Sequence, residues 1–186
     1  MEPIDANTTD YYTGGPSFRL SNRLFRGVWI VTWALMARWT PPPLYGWRRF
    51  LLSLFGAKLG RHVRIYGSTQ IWYPPNLIIG DCSSLGPRVN CYNQGKIIVG
   101  ERTTVSQGAH LCSSTHDFNR RNFQLVLKPI TIGNDAWVAA DAFIGPGAIV
   151  ADGCVIGARA VLFGLTEPWT VYRGNPAEPG KLRHLK

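Results

Sequence analysis

The chain has 186 residues, 45% hydrophobic and 17% charged, with 20 Gly and 13 Pro. That apolar content excludes a disordered chain, and so much Gly and Pro without a three-residue period excludes both a helical bundle and collagen. The net charge is +9, but no nucleic-acid-binding motif accompanies the excess. The excess sits in the N-terminal third. Between Tyr11 and Gly80 there is no acidic residue and there are nine basic ones, interleaved with Trp, Leu, Ile and Phe. That mixture suits an anionic membrane surface better than nucleic acid.

Residues 1–57 read as a tail followed by a basic, Trp-rich helical segment. Ser21 to Trp39 is expected to be a helix with Ser21 or Asn22 as N-cap, ended by Pro41-Pro42-Pro43. Leu44 to Phe55 is expected to be a second helix, with Gly56 after its end. The most apolar run, Gly27 to Ala37, is about half the roughly 20 residues a spanning helix needs. Residues 19–58 can therefore lie on a membrane without crossing it, or cap the open end of the domain that follows. Met1-Glu2-Pro3 does not open a signal peptide. The four cysteines show no C-x-x-C pair. Both features fit a reduced, cytoplasmic chain, with peripheral contact at the inner membrane face.

Residues 58–163 carry a six-residue repeat. Ile132, Val138, Ile144, Val150, Ile156 and Leu162 recur at that interval, and four places after the first five stand Ala136, Ala142, Ala148, Cys154 and Ala160. The same register appears upstream at Ile79, Leu85 and Cys91, then at Val99, Val105 and Leu111, with a weaker start at Leu59, Ile65 and Ile71. A period of six fits a parallel β-helix in which three hexads close a triangular coil. The aliphatic residue fills the prism and the small residue fits a corner. Coils stack at roughly 4.8 Å, the spacing of paired strands, and about five fit between Leu59 and Phe163. The repeat stops at His116 and resumes near Ile130, leaving residues 117–128 as an inserted loop. Such a loop on a regular scaffold is commonly functional. Residues 164–186 form a C-terminal extension.

The fold class is thus all-β, a parallel β-helix with an N-terminal helical segment. A scaffold does not name a reaction. His116 stands where the repeat gives way to the loop, and its imidazole can act as a general base near neutral pH. His110 and His116 lie six residues apart, so extended chain places them roughly 20 Å apart. One zinc ion needs its ligands within about 4 Å of each other, so one chain cannot chelate with this pair, only a subunit interface could bring such residues together, and no metal is expected.

These hexads, together with Ser114-Thr115-His116-Asp117-Phe118, Ile132-Gly133-Asn134-Asp135-Ala136-Trp137-Val138 and Arg173-Gly174-Asn175-Pro176-Ala177, resemble the hexapeptide-repeat acyltransferases, which include maltose, galactoside and nodulation O-acetyltransferases. Tyr45-x-Trp47-Arg48-x-Phe50-Leu51-Leu52-x-Leu54-Phe55-Gly56-Ala57-Lys58-x-Gly60 resembles the colanic-acid and exopolysaccharide branch. The likeness covers roughly residues 40–180. It implies a left-handed β-helix, a homotrimer with sites between subunits, acetyl-CoA as donor and a saccharide acceptor, with lipid-linked glycans compatible. By resemblance His116 is the catalytic base and Asn90 lies on the acceptor side. Asp117 adjoins the acceptor and can orient His116. Trp137 falls beside the pantetheine arm, Ala140 where relatives offer a backbone N–H to the thioester region, and Ala158 where the backbone lines the CoA groove. Arg159 and Arg173, with Lys181, are candidates for the CoA phosphates by charge and position. Many relatives place a Thr-Lys-Asp after the last hexad, whose Lys meets CoA. This chain has Phe163-Gly164-Leu165, so either Arg159 or Arg173 takes that part or CoA binds more weakly than in the sugar-acetylating relatives.

The expectation is an acetyl-CoA-dependent O-acetyltransferase acting on a sugar hydroxyl in exopolysaccharide synthesis. Two alternatives use the same scaffold: a metal-dependent hydratase of the γ-carbonic-anhydrase type, and a non-catalytic β-helix subunit.

Overall fold

The computed structural model describes residues 2–7 and 15–185. Three parallel sheets wind into one solenoid. The first face stacks Lys58–Leu59, Leu77–Ile79, Ile97–Val99, Ile130–Ile132 and Ile149–Val150. The second stacks Arg64–Ile65, Ser84–Leu85, Thr104–Val105, Trp137–Val138, Val155–Ile156 and Thr170–Arg173. The third stacks Gln70–Ile71, Asn90–Tyr92, His110–Cys112, Phe143–Ile144 and Val161–Leu162. The chain visits the faces in that order once per coil.

Register follows the hexads. Ile79 pairs with Val99, Val99 with Ile132, and Ile132 with Val150. On the second face Leu85, Val105, Val138 and Ile156 are aligned in the same way. These side chains are buried and form the core. Ala136, Ala142, Ala148, Cys154 and Ala160 are also buried, filling corners where a larger group would force the coils apart. Close stacking also requires small residues at turns. A Cβ added to Gly100 would lie 2.6 Å from the carbonyl carbon of Gly133 in the next coil.

The stack continues past Phe163. Thr170–Arg173 pairs with Val155–Ile156, and Glu178–Leu182 returns antiparallel to it. Five complete coils are thus followed by the start of a sixth. The hexad signal fades here because no coil lies beyond to impose it. The inserted segment is also more ordered than a loop. Ser114–His116 and Leu125–Leu127 pair as an antiparallel hairpin. All four cysteines are unpaired, and burial pushes the Cys91 thiol up to about 12.

Two helices precede the solenoid, α1 (Leu20–Met36) and α2 (Tyr45–Leu54). Helix α1 begins ahead of the expected caps, with Arg19 at the N-cap position and no side-chain capping bond. It ends before Trp39, because the N–H groups of Ala37 and Arg38 both bond to the Trp33 carbonyl. Its inner face closes the first coil. The Trp29 indole donates to the Ile71 carbonyl at 2.7 Å, and the Trp33 indole to the Gly67 carbonyl at 3.1 Å. These bonds satisfy backbone acceptors at an end where no further coil exists.

Arg48 on α2 locks the cap. Fully buried, it donates to the Ile65 carbonyl at 2.6 Å, the Thr40 hydroxyl at 2.7 Å and the Pro42 carbonyl at 2.6 Å. The guanidinium thus joins Thr40, Pro41 and Pro42 of the Pro-rich link to the solenoid, a task its forked geometry suits. The outer face of α1 is different. Leu20, Leu24, Val28, Val31 and Leu35 are all more than half exposed, as are Phe50 and Leu54 on α2.

Candidate active site

The site is built at the edge where the third face ends. His110–Cys112 runs into Ser113, whose buried hydroxyl accepts the Gly95 N–H at 3.0 Å. That bond fixes the corner from which Ser114–His116 departs. Across the hairpin, His116 Nδ1 lies 2.7 Å from the Phe123 carbonyl oxygen. A carbonyl can only accept, so in the neutral ring Nδ1 carries the proton and Nε2 the basic lone pair. The rings of His116 and Phe123 stack with centroids 4.6 Å apart and planes 18° from parallel. The Phe123 carbonyl and the stacked Phe123 ring thus help to position the imidazole.

The turn that brings Phe123 there is closely bonded. The Asp117 N–H donates to the Gln124 carbonyl at 2.8 Å, and the Phe123 N–H to the Arg120 carbonyl at 3.0 Å. The Asp117 carboxylate pairs with Arg120 at 3.2 Å and accepts the Asn119 N–H. Those turn contacts engage the group expected to orient His116, and the Phe123 carbonyl holds the ring's Nδ1. Phe123 adopts a left-handed φ of 48°. The N-terminal segment braces this turn. Gln124 accepts the Ala6 N–H and donates to the Ile4 carbonyl, and Asn122 donates to Asn7 at 2.8 Å.

Asn90 lies on the third face, in register with Gln70 and His110. It borders a cavity of about 420 Å³ lined by Trp29, Trp33, Gln70, Trp72 and Tyr92 among others. His110 packs edge-on against Tyr92 and Phe143. Burial lowers its pKa from the usual 6.5 by disfavouring the charged ring. It belongs to the repeat, whereas His116 belongs to the hairpin outside it. Among the described residues no three His, Cys, Asp or Glu side chains converge as metal ligands.

The residues expected around CoA form a column along the opposite edge of the third face. The Arg159 N–H donates to the Ala140 carbonyl at 2.9 Å, and the Val161 N–H to Gly174 at 3.0 Å. These bonds put Ala140, Ala158-Arg159 and Arg173-Gly174 one above another. Arg159 is highly exposed and lies 3.9 Å from Asp141. Arg173 is exposed as well, and Lys181 lies on the exposed last strand. Trp137, on the second face, is 46% exposed, and its indole donates to the Ser106 hydroxyl at 2.9 Å. One chain therefore gathers Ala140, Arg159 and Arg173 at one edge and sets His116 at the other.

Sequence reasoning did not find Phe123 or Arg48. Phe123 orients His116 through a backbone carbonyl, which any residue possesses, so composition carries no trace of it. Arg48 is one of nine basic residues in the N-terminal third and a member of the motif from Tyr45 to Gly60, and neither fact marks it as buried.

A family model, bacterial transferase hexapeptide (six repeats), matches residues 129–164. The chain is 41% identical over 160 residues to the provisionally named colanic acid biosynthesis acetyltransferase WcaF of Escherichia coli (strain K12), covering 86% of this chain and 88% of that protein. Among solved structures, a maltose O-acetyltransferase from Clostridium difficile 630 superposes with a TM-score of 0.79 at 19% identity, covering 90% of each chain. A hexapeptide-repeat acetyltransferase from Vibrio cholerae O1, solved in complex with acetyl coenzyme A, gives 0.75 at 19% identity and covers 88% of each.

Proposed function

We propose that this chain, which belongs to the hexapeptide-repeat acetyltransferase family, moves an acetyl group from acetyl-CoA to a saccharide hydroxyl in exopolysaccharide synthesis. The observation that carries the mechanism is the Nδ1–H of His116 held on the Phe123 carbonyl. It leaves Nε2 as the proton acceptor. Nε2 takes the proton of the sugar hydroxyl as the oxygen attacks the thioester carbonyl carbon. A tetrahedral oxyanion forms, stabilised by backbone N–H donors. It collapses with cleavage of the C–S bond, releasing CoA thiolate, which accepts the proton from the imidazolium. Asn90 would hold the acceptor, and Asp117 contributes by closing the turn that carries Phe123. Acetyl-CoA would lie along the column of Ala140, Ala158, Arg159 and Arg173, with Trp137 beside its pantetheine arm. Since His116 and this column occupy opposite edges of one face, a homotrimer that sets one protomer's His116 against the next protomer's column completes the site.

The test is acetyl transfer to oligosaccharide acceptors, read as free CoA thiol and by mass of the product. His116→Ala is expected to lose transfer by at least about 100-fold with melting temperature and trimer mass unchanged. Full activity in that variant overturns the mechanism.

The same reading places the enzyme at the inner membrane face. The outer side of α1 is a continuous apolar stripe, and Arg19, Arg23, Arg38 and Arg49 border the helical segment with no acidic residue from Tyr11 to Gly80. That combination suits the interface of an anionic bilayer, where carrier-linked saccharides would be presented. Among the described residues no helix is long and apolar enough to cross a membrane.

A further inference from the structure

Next to the cavity that borders Asn90 lies a second one of about 310 Å³, lined by Phe18, Arg23, Arg26, Trp72, Tyr92 and Gln94 among others. Trp72 and Tyr92 line both cavities. The strand Asn90–Tyr92 has the alternation that puts Asn90 and Tyr92 on the same outer side, so the second cavity continues the first.

Its polar groups are incompletely used. Gln94 is 94% buried, with 6% exposure. Its amide nitrogen donates to the Tyr92 hydroxyl at 2.8 Å, while Oε1 is buried without a hydrogen-bond partner. Turning the amide over would only exchange which end is unmatched. A buried unmatched amide costs free energy unless something completes it. The Tyr92 hydroxyl, having accepted from Gln94, still has its own proton to donate.

Arg26 supplies the charge. Its guanidinium carbon sits 4.0 Å from the Trp72 ring centroid, and Nε donates to Asn22 at 3.1 Å. The ring and the Nε bond fix the plane of the fork. Its two terminal nitrogens have no acceptor among the described residues, and no carboxylate there pairs with Arg23 or Arg26. Burial lowers the Arg26 pKa from its usual value, the mark of a cation partly stripped of water. A partly desolvated, oriented guanidinium without a counter-charge suits a planar or tetrahedral oxyanion.

We propose that the cavity bounded by Arg26, Trp72, Tyr92 and Gln94 is a subsite for an oxyanion carried by the acceptor saccharide, either a sugar carboxylate or a sugar phosphate. This rests on the saccharide acceptor of the proposed function and narrows it to acidic sugars. Arg26, with Arg23 behind it, takes the oxyanion. The Gln94 carboxamide and Tyr92 hydroxyl bond a ring hydroxyl, and the neighbouring sugar extends toward Asn90.

The test is binding of glucuronate, glucose 1-phosphate and glucose to the full chain without acetyl-CoA, measured by saturation-transfer NMR and calorimetry. At least one anionic sugar is expected to bind about tenfold more tightly than glucose, the ratio of one charge-assisted bond. Preference for glucuronate alone assigns a carboxylate, and preference for glucose 1-phosphate alone assigns a phosphoryl group. Arg26→Gln should abolish the preference and Arg26→Lys should keep part of it, so the lysine variant decides if the glutamine variant melts early. Equal binding of all three sugars, no detectable binding of any, or a preference that survives Arg26→Gln overturns the subsite. Because no acetyl donor is present, that result is separate from His116-dependent transfer. Loss of the transferase reading would leave the binding result standing, and the reverse also holds.

Discussion

His116 and Phe123 are joined twice, by a 2.7 Å hydrogen bond from Nδ1–H to the backbone carbonyl and by ring stacking at 4.6 Å. The backbone bond selects the tautomer, and the stacked ring limits rotation. Phe123→Ala keeps the first and removes the second. It is expected to lower kcat about tenfold, with KM for acetyl-CoA little changed, because a looser imidazole spends less time aligned. Steady-state kinetics on the purified variant check this. An unchanged kcat would mean that the carbonyl alone suffices.

Arg48 ties α2 and the Pro-rich link to the solenoid through one buried guanidinium. Arg48→Met leaves the carbonyls of Ile65 and Pro42 and the Thr40 hydroxyl short of a donor. It should destabilise the chain by about 3 kcal/mol. Arg48→Lys should recover only a minor part, since an ammonium cannot reach all these acceptors at once. Denaturant unfolding of the three proteins measures the difference.

Coil stacking should be equally sensitive at Gly100. Alanine there puts its Cβ against Gly133 backbone, which cannot swing aside as a flexible side chain would. Gly100→Ala is expected to cost about 2 kcal/mol, read as a lowered melting temperature.

Acid sensitivity has two separate windows. His110 has a folded pKa lowered by burial from 6.5. The unfolded chain therefore takes up a proton first as pH falls through about 6.5. Stability declines from there until the folded ring protonates too. Asp81 and Asp135 are held below their usual 3.8 mainly by hydrogen bonds from Arg61 and Arg102, respectively. Their contribution is present above 3.8 and is lost only at lower pH. His110→Phe should flatten the upper window and leave the lower one, as pH-dependent melting curves would show.

The exposed stripe of α1 makes a further prediction. The wild-type chain should co-sediment with vesicles containing phosphatidylglycerol and much less with pure phosphatidylcholine. Leu24→Glu with Val31→Glu should weaken that binding at least tenfold, by about the transfer cost of two buried aliphatic groups. If the pair instead abolishes trimer formation with vesicle binding unaltered, the stripe is a subunit contact.

The solenoid was legible in the amino-acid order because every coil imposes the same demand. A prism interior accepts an aliphatic residue at one hexad position and a small one four places on, and Ile132 to Leu162 repeats that demand without interruption. His116 could be singled out because it stands where the demand lapses. Residues 125–127 were less legible as a strand, since a two-stranded hairpin needs no hexad register. Ser21 looked like a helix cap, but packing of Trp29 and Trp33 on the first coil sets where α1 lies, and local capping is too weak to override it.

Local periodicity alone therefore determined the coil, its core residues and the position of the break, because each depends on side chains at regular spacing. Tertiary structure decided what that break contains. The Phe123 carbonyl, the Arg48 clamp and the unmatched Gln94 amide come from how turns fold back on nearby chain and from what the finished fold buries. They depend on backbone atoms and burial, which have no residue code of their own.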